Sequence, residues 1–315
     1  MKLSFEEIKN ITFGALEINE TDSGIRFHKC TKKQEEAFSS LSPVLGQRAL
    51  STTGIRLDFH TDSDSFGFYA PSGKKFDLYA DGLLYRQYIL GEERTVTADL
   101  SKVKKKRDVR ITLYFPAHDL PCVLGGVELD DRSYVTPQRF DRKMLFIGDS
   151  ITQGWNSKYD SFSYANRVSR FFNAESVING IGGAYFDPSV FDSVPFDPDT
   201  VIIAYGTNDF SVRKTKEELR EKVSAFLSLA ADEYVRGGKR VYAISPIPRG
   251  DIDAVKPMGS FFDCRDIIIE EIERYGIRHI DGMSLLPYSE DLFADALHPN
   301  DLGFAQYAES LIKKL

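Results

Sequence analysis

The pattern of apolar and polar positions changes near the middle of the chain. Up to about residue 137, short runs rich in β-branched and aromatic residues follow one another: GIRLDFHT, SFGFYAP, KFDLYAD, LLYRQYIL, RTVTADL and DVRITLYFP. Several alternate apolar with polar residues, the period of a half-buried strand. Turn material such as DSDS, PSGKK, ADG and GEE separates them. No long helical period intervenes. Residues 1–137 are therefore expected to form an antiparallel β-sandwich, jelly-roll-like, as an accessory domain. TKKQEEAFSSL is expected to be one short helical turn or a loop, and TPQRF (136–140) a linker.

From Lys143 onward, continuous apolar runs alternate with helical periods. KMLFIGD (143–149), ESVING (175–180), TVIIAYG (200–206), RVYAISP (240–246) and IRHIDG (277–282) read as strands buried on both faces of a parallel sheet. Residues 216–236 and 261–276 carry apolar positions at helical spacing, each stopped by glycine, and DLGFAQYAESLIKKL closes the chain as a third helix. The alternation predicts a three-layer α/β domain over residues 138–315.

Composition narrows the function classes. The net charge of −7 opposes nucleic acid as a main partner, because phosphate binding needs a basic face. Cys30, Cys122 and Cys264 are far apart and odd in number, so neither a disulfide framework nor a zinc site is expected. No run of eighteen apolar residues occurs, and the N-terminal MKLSFEEIKNITFG lacks the apolar stretch of a leader. The expectation is a cytoplasmic protein without a membrane span, acting on a small imported substrate.

The unusual residues fall at strand ends, where open α/β sheets collect functional groups. Ser150 follows the first strand in a glycine-bearing turn before a helix. Taken alone, it reads equally well as a helix cap. Asn179-Gly180-Ile181-Gly182-Gly183 follows the second strand and could present backbone amides to an oxyanion, or simply form a tight turn. Asn208 follows the third. Asp295 stands three residues before His298, close enough to fix one ring nitrogen and leave the other as a base. His28, His60 and His118 read as ordinary surface histidines, and His279 as a core or supporting residue.

Four such features in this order resemble the SGNH (GDSL-type) hydrolase family. GDSIT at 148–152 matches its nucleophile block, the glycine cluster at 180–183 its second, GTND at 206–209 its third, and DALHP at 295–299 its last. The resemblance implies a flavodoxin-like five-stranded parallel sheet, two-step acyl transfer and no metal or organic cofactor. It makes Ser150 the nucleophile, His298 the base and Asp295 its orienter. It also implies an oxyanion hole of the Ser150 amide, the Gly183 amide (with Gly182 as the alternative) and the Asn208 side chain. Asp149 is expected to hold the turn rather than react.

The ester is less constrained. Trp155, Tyr185, Phe186 and Phe210 could line the mouth of the site and suit sugar rings, or could pack between sheet and helices. The loop 245–262 is polar with aromatic punctuation, and no lid-like amphipathic insertion is evident. A β-sandwich ahead of such a domain is similar to carbohydrate esterase family two. Lys75-Phe76-Asp77-Leu78-Tyr79 resembles a G-x-D-L-Y motif found before some SGNH hydrolases, with Lys in place of Gly. The expected activity is removal of acetyl groups from a small acetylated sugar or oligosaccharide. The alternatives are a lysophospholipase or thioesterase of the same family, and a carbohydrate-binding protein without activity. The β-domain could bind sugar, wall off one side of the active site, or mediate dimerisation into a homo-oligomer.

Overall fold

A computed structural model describes residues 1–103, 108–118 and 121–315. The second half is built on a parallel sheet whose strands run in the order Ala174–Gly180, Arg142–Gly148, Thr200–Ala204, Arg240–Ile244, Arg278–Ile280. This is the flavodoxin-like order, with a topological switch beside the central strand. Side chains of Arg142–Gly148 alternate between two cores. Leu145 and Ile147 pack with Val223 and Phe226 of the helix Lys216–Ala230 and with Cys264 and Ile268 of the helix Phe261–Arg274. Met144 and Phe146 face the opposite layer, packing with Tyr164 and Val168 of Tyr164–Phe171 and with Phe304 and Tyr307 of Asp301–Ile312. The helix expected over 216–236 continues beyond Ala230 as a π-helical turn, Ala231–Val235, before Gly238 takes a φ of +75°.

The first half carries the expected antiparallel sheets. The largest orders its strands Thr12–Phe13, Arg56–Thr61, Val109–Tyr114, Lys75–Ala80, Leu83–Ile89. A second joins Gly126–Leu129, Ser65–Tyr69 and Thr95–Asp99, and a third joins Val123–Leu124, Gly24–His28 and Glu17–Thr21. Leu57, Phe59, Leu78 and Ile111 of the large sheet meet Phe66, Phe68 and Val127 of the second in one apolar core. The segment 136–140 is not only a linker: Thr136–Pro137 adds antiparallel to Arg56–Thr61.

Two expectations for this half are corrected. The polar positions of Arg56–Thr61 and Lys75–Ala80 do not form a solvated face, whereas Thr95, Thr97 and Asp99 are exposed. Arg56, Asp58 and Asp77 are buried because the outer face of the large sheet docks on the α/β half. The Arg56 guanidinium donates to the Ala174 carbonyl at 3.0 Å, and Tyr79 Oη lies 3.0 Å from Ser161 Oγ. The KFDLY segment therefore lies on the seam between the halves. Moreover, TKKQEEAFSSL is a ten-residue helix, Lys32–Leu41, followed by a second helix, Pro43–Ala49. Thr31 and Gln34 form a capping box that starts the first. Phe38, Leu45 and Ala49 pack into the same core as Leu145 and Val177. The helix pair thus belongs to the packing of the parallel sheet, although the chain supplies it among the antiparallel strands.

Candidate active site

The strand Arg142–Gly148 ends at the topological switch, and Asp149 caps a short helix, Ser150–Gln153, by accepting the Ile151 amide at 2.9 Å. Ser150 therefore sits on a sharp strand-to-helix turn at the carboxyl end of the sheet. The turn needs glycine beside it: a Cβ on Gly180 would lie 2.3 Å from the Gln153 amide nitrogen. Asp149 is wholly enclosed. Burial pushes its carboxyl up to about 7, and the Ile151 amide only partly opposes the shift. It braces the turn, as expected.

His298 reaches the serine from the loop before the last helix, with Nε2 2.9 Å from Ser150 Oγ. Asp295 folds back beneath it. One carboxylate oxygen accepts the Leu297 and His298 amides at 2.7 and 2.8 Å, and the other lies 2.9 Å from His298 Nδ1. Burial raises the Asp295 carboxyl, but the His298 side chain and these amides outweigh it and hold the group below its ordinary value. It is thus an anion facing Nδ1, which favours the tautomer with Nδ1 protonated and Nε2 free. Asn156, which the motif reading did not include, donates at 2.8 Å to the same Asp295 oxygen that faces Nδ1.

The second and third blocks close the site. The Gly182 amide is engaged, donating to Gln153 Oε1 at 2.6 Å. The Gly183 amide has no acceptor among the described residues, and Gly183 is half-buried with φ +85°. The Ser150 amide likewise makes no hydrogen bond among them. Asn208 donates from Nδ2 to the Ala184 carbonyl at 2.9 Å, leaving its second amide hydrogen free. Thr207 is held in turn by Arg249, a buried residue of the 245–262 loop that donates to its carbonyl at 2.7 Å. Four separately predicted positions are thus assembled around one turn, and Gly183 rather than Gly182 keeps an available donor.

The aromatic residues divide. Trp155 is partly exposed, with its ring centroid 6.4 Å from that of His298. Phe186 and Phe210 are enclosed in the core and do not line the mouth. Tyr185 is half-buried beneath the Arg213 guanidinium, 4.7 Å from its ring centroid. His118 is not a detached surface residue: its ring lies 5.5 Å from Trp155. His279 bonds to Ser245 Oγ at 3.1 Å, a supporting contact. The three cysteines are buried and free, and burial pushes the Cys30 thiol up to about 12.

Side chains from the first half approach the same place. Arg48 donates to the Gly182 carbonyl at 2.7 Å, with its guanidinium 4.6 Å from the Trp155 ring centroid. Lys29, fully buried, donates to the Gly180 carbonyl at 2.8 Å and to Ser51 Oγ at 2.6 Å. Burial draws its ammonium down to about 8. Ser51 and the Ala117 carbonyl accept from Gln153 Nε2 at 3.1 and 3.0 Å. No local motif marks these residues, because their partners lie far along the chain.

Comparison with known proteins agrees with this geometry. The sequence profile of the GDSL-like Lipase/Acylhydrolase family matches residues 146–306, just over half of the chain. No curated protein matches in sequence. Among solved structures, the salicylyl-acyltransferase SsfX3 from a tetracycline biosynthetic pathway is similar over 95% of this chain and 92% of its own, at 17% identity and a TM-score of 0.81. A protein from Bacteroides ovatus described as a GDSL-like lipase is similar over 100% of this chain and 98% of its own, at 18% identity and a TM-score of 0.76. A family two carbohydrate esterase from Clostridium thermocellum, in complex with cellohexaose, is similar over 96% and 97%, at 17% identity and a TM-score of 0.68. At these identities the structural likenesses speak for the fold, and the family profile for membership. The chain belongs to the GDSL-like lipase/acylhydrolase family, a family of ester hydrolases.

Proposed function

We propose that this protein is a serine esterase that removes acetyl groups from small O-acetylated carbohydrates, with Ser150 as nucleophile, His298 as base and Asp295 as its orienter. The observation that carries the reaction type is the 2.9 Å contact between His298 Nε2 and Ser150 Oγ, with Asp295 bonded to Nδ1. In the first step Oγ attacks the ester carbonyl carbon as its proton passes to Nε2. The resulting oxyanion lies among the Ser150 amide, the Gly183 amide and Asn208 Nδ2, donors typically worth ~3 kcal/mol each. Collapse breaks the bond to the sugar oxygen, which takes the proton from His298. Water then adds to the acetyl-serine by the same route in reverse, releasing acetate and restoring Ser150.

Three features support the acetyl-sugar reading over long-chain esters. Trp155 and Arg48 crowd the Gly182 corner, where a Cβ would lie 3.3 Å from each, which favours a short acyl group. Trp155 also offers an aromatic face of the kind that stacks on a sugar ring. The two-part architecture is shared with the family two carbohydrate esterase. A small substrate met inside the cell remains part of this proposal. The likeness to an acyltransferase supports a second reading, in which an alcohol replaces water in the second step.

Acetate release from acetylated xylo-, manno- and chito-oligosaccharides tests the proposal. Release that disappears in Ser150→Ala is the expected result. A preference for p-nitrophenyl esters of eight carbons or more would defeat the acetyl assignment, and acyl transfer to an added sugar in preference to water would favour the second reading.

A further inference from the structure

We infer that Arg48, contributed by the helix pair of the N-terminal half, positions and strengthens the Gly183 oxyanion donor. The inference rests on the proposed role of the Gly183 amide. The Gly182 carbonyl and the Gly183 N–H belong to one planar peptide unit, and in a trans peptide they point in opposite directions. The Arg48 guanidinium grips the carbonyl at 2.7 Å, so the N–H is directed away from it. The neighbouring peptides are held as well. On the N-terminal side Gln153 receives the Gly182 amide, and on the C-terminal side the Ala184 amide donates to the Ile181 carbonyl at 2.9 Å. With both flanks fixed, Arg48 is the contact that sets the plane of the donor peptide itself.

Two physical effects follow. A charged donor on the carbonyl polarises the peptide and makes its N–H a stronger donor. The restraint also lowers the reorganisation needed when negative charge develops on the substrate oxygen. Gly183, at φ +85°, occupies a backbone region with no side-chain packing of its own to hold it. Arg48 makes no ion pair with an acidic side chain among the described residues, so its charge is not neutralised locally. Its guanidinium is braced instead by the Trp155 ring. The N-terminal half therefore contributes to catalysis through the geometry of the oxyanion site, apart from any contact with sugar.

Steady-state kinetics on p-nitrophenyl acetate with the full chain test this. Arg48→Met removes the charge and the donor while keeping an apolar stem beside Trp155. The expected result is a kcat lower by roughly 10- to 100-fold with KM within about twofold, since the loss is confined to the transition state. Arg48→Lys, which restores a cationic donor, is expected to recover part of that kcat. If the Met variant fails to fold in a thermal melt, Arg48→Gln, which keeps length and a neutral donor, carries the same measurement with a smaller expected loss. An unchanged kcat, or a raised KM with kcat retained, would overturn the inference; the latter would make Arg48 a substrate contact. Ser150→Ala in the same series separates the two readings. Turnover independent of Ser150 defeats the proposed function, whereas Ser150-dependent turnover indifferent to Arg48 defeats this inference alone.

Discussion

The two halves of the molecule place functional groups by different means. In the α/β half, each site residue follows a strand or precedes a helix, so its position is set within a few residues of local chain. Asp149 caps the turn that carries Ser150, and Asp295 is tied to the amides of the residues after it. In the N-terminal half, Arg48 and Lys29 reach the site across the seam, to partners at Gly182 and Gly180. Local order builds the reacting chain of hydrogen bonds, and long-range packing holds the peptides that surround it. An accessory domain that only bound sugar would not need a buried lysine against the second block.

This difference can be broken or sharpened by experiment. The largest effect is expected on the local side. His298→Ala removes the base and should lower kcat by up to roughly a millionfold, toward the level of the Ser150 variant. Asp295→Asn, read in the same assay, should lose less, because the exposed carboxylate orients the ring rather than reacting. On the long-range side, Phe38→Ala should destabilise the protein by about 3–5 kcal/mol, because Phe38 is enclosed in the core of the parallel sheet. Denaturant unfolding measures this, and a loss under about 1 kcal/mol would mean that the helix pair is peripheral. Asn208→Ala should cost roughly 100- to 1000-fold in kcat at similar KM, as one oxyanion donor lost.

The smallest effect concerns the seam. Burial pushes the Asp77 carboxyl up to about 7, with the Ser161 hydroxyl and amide opposing and Asp160 adding to the shift. An unfolded aspartate titrates near its ordinary value of 3.8. Between these values the folded state binds more protons than the unfolded one, so this group lowers stability as pH rises from about 4 to about 7. Asp77→Asn removes that dependence. Its stability relative to the unsubstituted protein should improve from pH 5 to pH 7 by at most about 1.4 kcal/mol per pH unit. A difference independent of pH would show that the carboxyl is ionised throughout.

The comparison also explains what could be read in the sequence. The strands of the parallel sheet and the residues at their ends were legible because apolar runs, glycine stops and the four blocks are local signals. The choice of Gly183 over Gly182 was not, because it turns on where Gln153 Oε1 points. The helix Lys32–Leu41 did have a signal, Thr31 and Gln34 three apart with Phe38 and Leu41 following, but it lies among strand-like runs whose period dominates. The polar positions of Arg56–Thr61 and Lys75–Ala80 have the alternation of a solvated face. Only the docking of a second sheet-and-helix layer converts that face into a buried seam, and alternation does not distinguish the two. Phe186 and Phe210 are aromatic residues near the blocks whose backbones belong to the site while their rings belong to the core.

The central claim is that Ser150 is a nucleophile activated by His298. Incubating the full chain with a fluorophosphonate probe, then digesting it and weighing the peptides, tests this most directly. The account predicts one modified peptide, the one that contains Ser150, and loss of that modification in His298→Ala. Modification at another residue, or labelling of Ser150 undiminished in the His298 variant, would contradict it.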